Sequence, residues 1–97
     1  MIASDWRSVV KGTQRGLCTI KTASGLRIHE VRLHERDGER WVALPGKYWK
    51  KENGTSVWIS TFNFPDAETK KLFKAQALAA INVMLAELTG ERHEANR

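Results

Sequence analysis

The sequence predicts an α+β domain, in which an antiparallel four-stranded β-meander is followed by one long C-terminal α-helix. Short segments of alternating apolar and polar residues, separated by glycine-containing turns, fill the first two thirds of the chain, as in consecutive hairpins. The last third carries one run of helix-forming residues with apolar side chains every three or four positions. Because a chain of 97 residues has room for one hydrophobic core, we expect the helix and the sheet to share it.

We divide the chain into three parts. Residues 1–15 are polar and weakly patterned, and we expect an N-terminal arm or a short strand there. Residues 16–90 form the single α+β domain, and residues 91–97 form a polar tail.

Turn dipeptides separate the four predicted strands. The strands are residues 16–22, 26–36, 41–44 and 55–62, and the first of them alternates with period two. Ala23-Ser24-Gly25 forms the first tight turn and Asp37-Gly38 the second, which is a strong hairpin signal. After Pro45-Gly46 ends the third strand, Asn53-Gly54 gives one more turn before the fourth.

The second strand presents apolar residues in two phases, first Leu26 and Ile28 and then Val31 and Leu33. A straight strand would expose one of these pairs. Either a β-bulge near His29-Glu30 shifts the phase and turns both pairs to one core, or the strand is covered on both faces.

The helix is predicted over residues 67–88. Pro65 ends the sheet because it cannot donate to a ladder, and Asp66 has the position and side chain of an N-cap. Thr89-Gly90 is the stop signal. A helix of this length can cover one face of the sheet, so the other face either meets a second copy or binds something flat.

The charge of the chain favours an anionic partner. The net charge is +5 and the pI is near 9.7, as is common for nucleic-acid-binding domains. Cys18 is the only cysteine, which excludes an internal disulfide. The three histidines are scattered and no cysteines are paired with them, so we expect no metal and no cofactor.

Two observations argue against a membrane or an exported protein. The N-terminus lacks the apolar segment of a signal peptide. The longest apolar-rich stretch, residues 75–88, contains polar side chains and is too short to span a bilayer. We therefore expect a cytoplasmic protein.

The loop after Pro45-Gly46 combines cations with flat rings, the two groups that bind phosphates and stack on bases. It is the first candidate for nucleic-acid binding, and its residues are Lys47, Tyr48, Trp49, Lys50 and Lys51. The alternative is that one ring packs on the core and the lysines only solvate a hairpin.

A second cationic cluster lies in the first turns of the predicted helix, at Lys70, Lys71 and Lys74. Cations at this end oppose the helix dipole, so the cluster suggests phosphate binding more strongly than a solvated helix face elsewhere would. A plain polar helix face stays the alternative.

Four arginines line the central hairpin, at Arg27, Arg32, Arg36 and Arg40. We favour cross-strand pairing with Glu30, Glu35 and Glu39. The alternative is a sheet face that binds phosphates.

No catalytic constellation is present. His29 and Glu30 are adjacent, but neighbouring strand residues point to opposite faces, so they do not form a dyad. Phosphate-binding glycine loops and nucleophile elbows are missing from the sequence. We therefore expect a binding protein and not an enzyme.

Two segments resemble the SpoVG family of bacterial regulators. They are Gly25-Leu26-Arg27-Ile28-His29-Glu30-Val31-Arg32-Leu33 and Asp37-Gly38-Glu39-Arg40-Trp41-Val42-Ala43-Leu44-Pro45-Gly46-Lys47. The resemblance covers roughly residues 16–88. It implies a small α+β domain that dimerises through its strands and binds DNA or RNA as a gene regulator.

The chain departs from that family in two places. Leu44 and Gly46 stand where the family tends to have Met and Ser, and the basic–aromatic residues 48–51 stand where the family is usually polar. In architecture alone, the chain is also similar to single-stranded-DNA-binding transcriptional coactivators.

The sequence thus predicts a small nucleic-acid-binding regulatory protein, a homodimer that binds single-stranded or structured DNA or RNA through the loop lysines and the helix lysines. The alternative is a protein–protein interaction module or dimeric scaffold, in which the exposed aromatic side chains form the interface.

Overall fold

The computed structural model describes residues 1–89, without the side chains of Trp58 and Ser60. Its elements in this range are β1 (Ile2–Lys11), β2 (Gln14–Lys21), β3 (Arg27–Arg36), β4 (Glu39–Ala43), β5 (Gly46–Lys50), β6 (Ser56–Ser60) and α1 (Ala67–Thr89). Strands β1 to β4 form an antiparallel sheet in chain order, while β5 and β6 pair only with each other. The predicted α+β class, a four-stranded meander followed by one C-terminal helix, is confirmed.

The membership of the sheet differs from the prediction. Strand β1 occupies the edge beside β2, so the first residues form a full ten-residue strand of the sheet. The predicted fourth strand, residues 55–62, contains β6, which pairs with β5 outside the sheet. The placement of that strand in the meander was wrong. Turn residues mark where strands begin and end along the chain, but they do not determine which strands pair.

A β-bulge explains why β1 looks weakly patterned. Between the partners Ser4↔Thr19 and Arg7↔Leu17, two residues of β1 stand against one of β2. Asp5 lies in this bulge with φ 56°. Because of the bulge, Ala3 and Trp6 both pack on the core although they are three residues apart.

Gly16 makes room for the ring of Trp6. A Cβ atom at Gly16 would collide with that ring and with the Arg7 carbonyl. The packing of β1 therefore requires glycine at position 16 of β2. Any larger residue there would force β1 outward.

The predicted bulge in the second strand is confirmed. Glu30 has φ 57°, and two residues of β3 lie opposite Thr19 between the partners Cys18↔Val31 and Ile20↔Ile28. Ile28 and Val31 consequently both face the core and are buried. Leu26, expected in the same core, is exposed because β3 begins one residue later and Leu26 belongs to the turn, where its carbonyl accepts from Thr22 N–H.

The basic–aromatic segment is a strand, which corrects its prediction as a loop. Residues 46–50 form β5, and the Pro45 carbonyl accepts a hydrogen bond from Thr61 N–H at 2.8 Å across the hairpin base. Pro45-Gly46 therefore turns the chain into a new ladder and does not end β structure. The predicted turn at Asn53-Gly54 connects β5 to β6, with Gly54 at φ 89°.

Helix α1 matches its prediction closely. Asp66 caps it, since Thr69 N–H donates to Asp66 Oδ1 at 2.7 Å. The helix packs on one face of the sheet against β1 and β4. The core comprises Cys18, Ile20, Ile28, Val31, Leu33, Val42, Leu44, Ala77, Ile81 and Met84. The predicted tail, residues 91–97, lies outside the described residues.

By length and composition alone, α1 is also apolar enough to cross a membrane. One such helix is weak evidence for a membrane span, because core helices pass the same test. The helix packs on β1 and β4 and buries Ala77, Ile81 and Met84.

Candidate nucleic-acid interface

The face of the sheet away from α1, which we name the open face, is built from five rows of side chains. Residues paired across antiparallel strands point to the same face, so the register defines these rows. They are Ile2, Lys21 and Arg27; Ser4, Thr19 and His29; Arg7, Leu17, Arg32 and Ala43; Lys11, Gln14, His34 and Trp41; and Arg36 and Glu39. The β3 bulge places His29 in its row, where Nδ1 lies 3.1 Å from Thr19 Oγ1.

The open face is cationic. Its positive side chains are Arg7, Lys11, Lys21, Arg27, Arg32 and Arg36. Among residues 1–89, the ion pairs within 4.0 Å join Arg40 to Glu35 and Arg36 to Asp37. Arg7, Lys11, Lys21 and Arg27 thus have no carboxylate within that distance in the described part of the chain. Cations that are not held in ion pairs attract polyanions.

The favoured pairing of the central arginines holds for Arg40 alone. Its Nε donates to Glu35 Oε1 at 2.8 Å, and its Nη1 donates to Asn82 Oδ1 on α1. These contacts lie on the helix side of the sheet. Arg27 and Arg32 point to the other side, so the alternative, a basic sheet face, is the better description of these two residues. Arg36 also lies on that side, opposite Glu39, but its ion pair is with Asp37, its neighbour in the chain.

Two aromatic rings stack on each other at one end of the open face. The rings of His34 and Trp41 lie on neighbouring strands with centroids 5.5 Å apart and planes within 8° of parallel. Trp41 is 41% exposed. Burial, and then the charge of Arg32, lower the pKa of His34, so its imidazole is neutral at neutral pH and the pair behaves as an uncharged aromatic surface.

The β5–β6 hairpin reaches the open face through Tyr48. Tyr48 lines a hollow of about 680 Å³ together with Lys11, Leu17, Arg32 and His34. The ring is 71% exposed. The hollow therefore combines a phenol, an imidazole and cations at the end of the open face that carries Trp41 and His34.

The structure divides the predicted loop residues between the two faces of the hairpin. Lys47 pairs with Ile59 and Trp49 with Val57, so these side chains share the face away from the sheet. Tyr48 and Lys50 point to the opposite face of the hairpin. On that face, Tyr48 approaches the open face of the sheet. Lys51 lies just beyond β5, where its carbonyl accepts from Gly54 N–H.

The helix lysines also separate. Lys70 lines a hollow with Ile59 of β6, which places it near Lys47 at the hairpin base. Lys74 follows one turn later and is half-buried, and burial, followed by the charge of Lys70, lowers its pKa. Lys71 lines a different depression beside Glu68 on the outer side of α1. The eight predicted residues therefore do not form one site.

The sequence analysis missed Arg7, Lys11, Lys21 and Trp41 as members of a binding surface. One signal was present in β2, where Leu17, Thr19 and Lys21 share the phase opposite to the buried Cys18 and Ile20. The β1 residues could not be found this way, because the bulge at Asp5 hides their phase.

Cys18 takes no part in the open face. It lies in the core under α1, and burial raises the pKa of its thiol to about 11. Among the described residues, no three His, Cys, Asp or Glu side chains are grouped so that they could hold a metal ion.

Comparisons with protein-family models, with curated proteins and with solved structures give no match to this chain. The resemblance to the SpoVG family stays a prediction from short motifs. The geometry of the open face is consequently the basis for any inference about function.

Proposed function

We propose that this protein is a binding protein without enzymatic activity, and that it binds single-stranded nucleic acid across the open face. The observation that carries the proposal is the set of open-face cations without an ion pair among residues 1–89, on the same side of the sheet as the stacked rings of Trp41 and His34. Cations that follow a strand of phosphates, together with rings that stack on bases, are the two parts of single-strand recognition.

The arrangement favours a single strand over a duplex. A base can lie on the ring of Trp41 only if its own face is free, and in a duplex both faces are stacked on neighbouring base pairs. Along β2, the open face extends from Lys21 to Gln14, a length of about 23 Å at ~3.3 Å per residue. This length accommodates several consecutive nucleotides of an extended strand.

The β5–β6 hairpin extends this surface in the proposal. Tyr48 and Lys50 lie on the hairpin side that meets the open face, and they add one ring and one cation to it. Lys47, Trp49 and Lys70 lie around the hairpin base on the other side. They serve as a secondary contact for a nucleic-acid strand that continues from the open face past the hairpin.

The proposal is tested by fluorescence anisotropy with four labelled ligands at low and high salt. The ligands are a mixed-sequence single-stranded DNA, the same sequence as RNA, its duplex, and polyglutamate of matched charge. We expect the single strands to bind most tightly, the duplex less, and polyglutamate least, because it offers charge without bases. Equal binding of polyglutamate and DNA, or no binding of any nucleic acid, would contradict the proposal.

A protein-interaction module is the second candidate, and α1 provides the observation for it. Leu72 and Val83 are each 59% exposed on the helix surface, and an apolar helix surface of this kind is typical of an interface. Such a module is expected to form the predicted homodimer. Because both candidates allow a homodimer, two measurements together separate them. Self-association that Leu72→Glu and Val83→Glu abolish in sedimentation, with no nucleic-acid binding by the wild type in anisotropy, favours this second function; nucleic-acid binding that survives both variants favours the first.

A further inference from the structure

A small hollow lies at the end of the open face farthest from Trp41. It has a volume of about 200 Å³ and is enclosed by the first two rows, with Thr19, Lys21, Arg27 and His29 on its walls. Beyond it, residues 22–26 turn the chain from β2 to β3. A strand of nucleic acid that follows the open face therefore reaches its limit here.

Two like charges are placed side by side in this hollow. Lys21 and Arg27 are direct cross-strand partners, an arrangement that is destabilising when nothing lies between the charges. Neither has a carboxylate within 4.0 Å among residues 1–89. A bound anion would relieve their repulsion.

Hydrogen-bond donors complete the walls. Thr19 is 7% exposed, and its hydroxyl lies 3.1 Å from Nδ1 of His29. When that hydroxyl donates to Nδ1, the imidazole carries its proton on Nε2, which is then available as a donor. One Lys, one Arg and one imidazole are the groups that hold phosphate oxygens in proteins.

One carboxylate also lines the hollow. Asp5 lies in the β1 bulge and accepts a 3.4 Å hydrogen bond from Ser4 Oγ. Its negative charge opposes an anion, so the two cations are partly offset. Removing this charge must strengthen the binding of any anion here, which gives the site a distinctive signature.

We propose that this hollow binds the terminal phosphate of a nucleic-acid strand, a refinement that rests on the function proposed above. A phosphomonoester carries about −1.5 to −2 charges at neutral pH, whereas an internal phosphodiester carries one. The neighbouring Lys21 and Arg27 match the larger charge. The position at the limit of the open face matches a strand end.

The test compares otherwise identical oligonucleotides that carry a 5′-phosphate, a 3′-phosphate or no terminal phosphate. We expect one phosphorylated form to bind about tenfold more tightly than the unphosphorylated strand, the gain of one good charged contact. The double variant Lys21→Gln/Arg27→Gln abolishes this preference. The matched double variant Arg7→Gln/Lys11→Gln weakens all three ligands alike and keeps the preference.

Asp5→Asn tests the site in the opposite direction, because this variant is expected to bind the phosphorylated strand more tightly. Asn tolerates the positive φ of this bulge, so the fold is retained, and the preference for the phosphorylated strand increases. Circular dichroism of each variant checks the fold. Equal affinity for all three strands in the wild type, or a preference that survives Lys21→Gln/Arg27→Gln, overturns the inference.

Inorganic phosphate separates this inference from the proposed function. Phosphate should shift the NMR signals of His29 and Thr19 in the wild type and not in Lys21→Gln/Arg27→Gln. If phosphate does so while no oligonucleotide binds, the anion site stands and nucleic-acid binding fails. If oligonucleotides bind without a phosphate preference and phosphate shifts nothing, the site fails and the function stands.

Discussion

Trp41 is the single side chain on which base stacking depends. Its ring is half exposed and lies parallel to His34, and stacking of a base on an aromatic side chain contributes about 1–3 kcal/mol. We expect Trp41→Ala to weaken single-strand binding about fivefold to a hundredfold, and Trp41→Phe to retain most of the affinity. Anisotropy titrations measure both.

Trp49→Ala is the matched control. Trp49 is also exposed, but it lies on the hairpin face away from the sheet, so its loss should change affinity less than the loss of Trp41. A larger loss for Trp49→Ala than for Trp41→Ala would place stacking on the hairpin, as the sequence first indicated.

The contrast between these two tryptophans shows what residue patterns can predict. Trp49 stood out because lysines flank it in the chain. Trp41 sits in an apolar run and was predicted only as the first residue of the third strand, yet the register pairs it with His34 on the open face. Neighbours across a strand decide exposure, and the sequence contains no direct record of them.

Among the elements, α1 was predicted almost to its ends and β1 was not. Helix signals are local, since the Asp66 cap and the apolar spacing lie within one segment. The position of β1 depends on the bulge at Asp5 and on the room that Gly16 leaves for Trp6. Both involve two strands, so local patterns could not supply them. The β3 bulge was predictable because its two apolar phases lie in one strand.

The cap gives α1 a pH dependence. Backbone and side-chain hydrogen bonds from Thr69 lower the pKa of Asp66 from its ordinary 3.8. A carboxyl whose pKa is lower in the folded state contributes stability above its unfolded pKa, and that contribution disappears as the pH falls through the folded pKa. We expect Asp66→Ala to lower the Tm at neutral pH, and the difference from wild type to shrink below about pH 4.

Asp66→Asn is the control for the cap. An amide oxygen accepts the same bond from Thr69 N–H without a charge. The Tm of this variant should therefore stay close to that of the wild type at neutral pH, and its difference from the Tm of Asp66→Ala should not change with pH. Thermal melts by circular dichroism across this pH range provide the comparison. A pH-independent difference between wild type and Asp66→Ala would show that the carboxylate charge is irrelevant to the cap.

At the scale of the whole molecule, the sheet separates two kinds of surface. One face is closed by α1 over the core, and the other carries the cations. The net charge of +5 indicated an anionic partner from the start, but the charge alone could not say where that partner binds. The partition of cations between faces comes from the register, and the register depends on the bulges.

This partition predicts the salt dependence of binding. For single strands, the logarithm of the affinity falls with the logarithm of salt concentration with a slope of about −0.7 per phosphate contact. The four open-face cations without an ion pair in the described part of the chain, Arg7, Lys11, Lys21 and Arg27, therefore give a slope of about −2.8. Lys11→Gln should make the slope shallower by about 0.7, whereas Lys71→Gln removes the same charge from the outer side of α1 and should leave it nearly unchanged. Anisotropy across a salt series measures all three slopes. A slope that responds to the α1 variant and not to the open-face variant would move the phosphate path to the helix, because a contacted cation changes the number of ions released and a distant one does not.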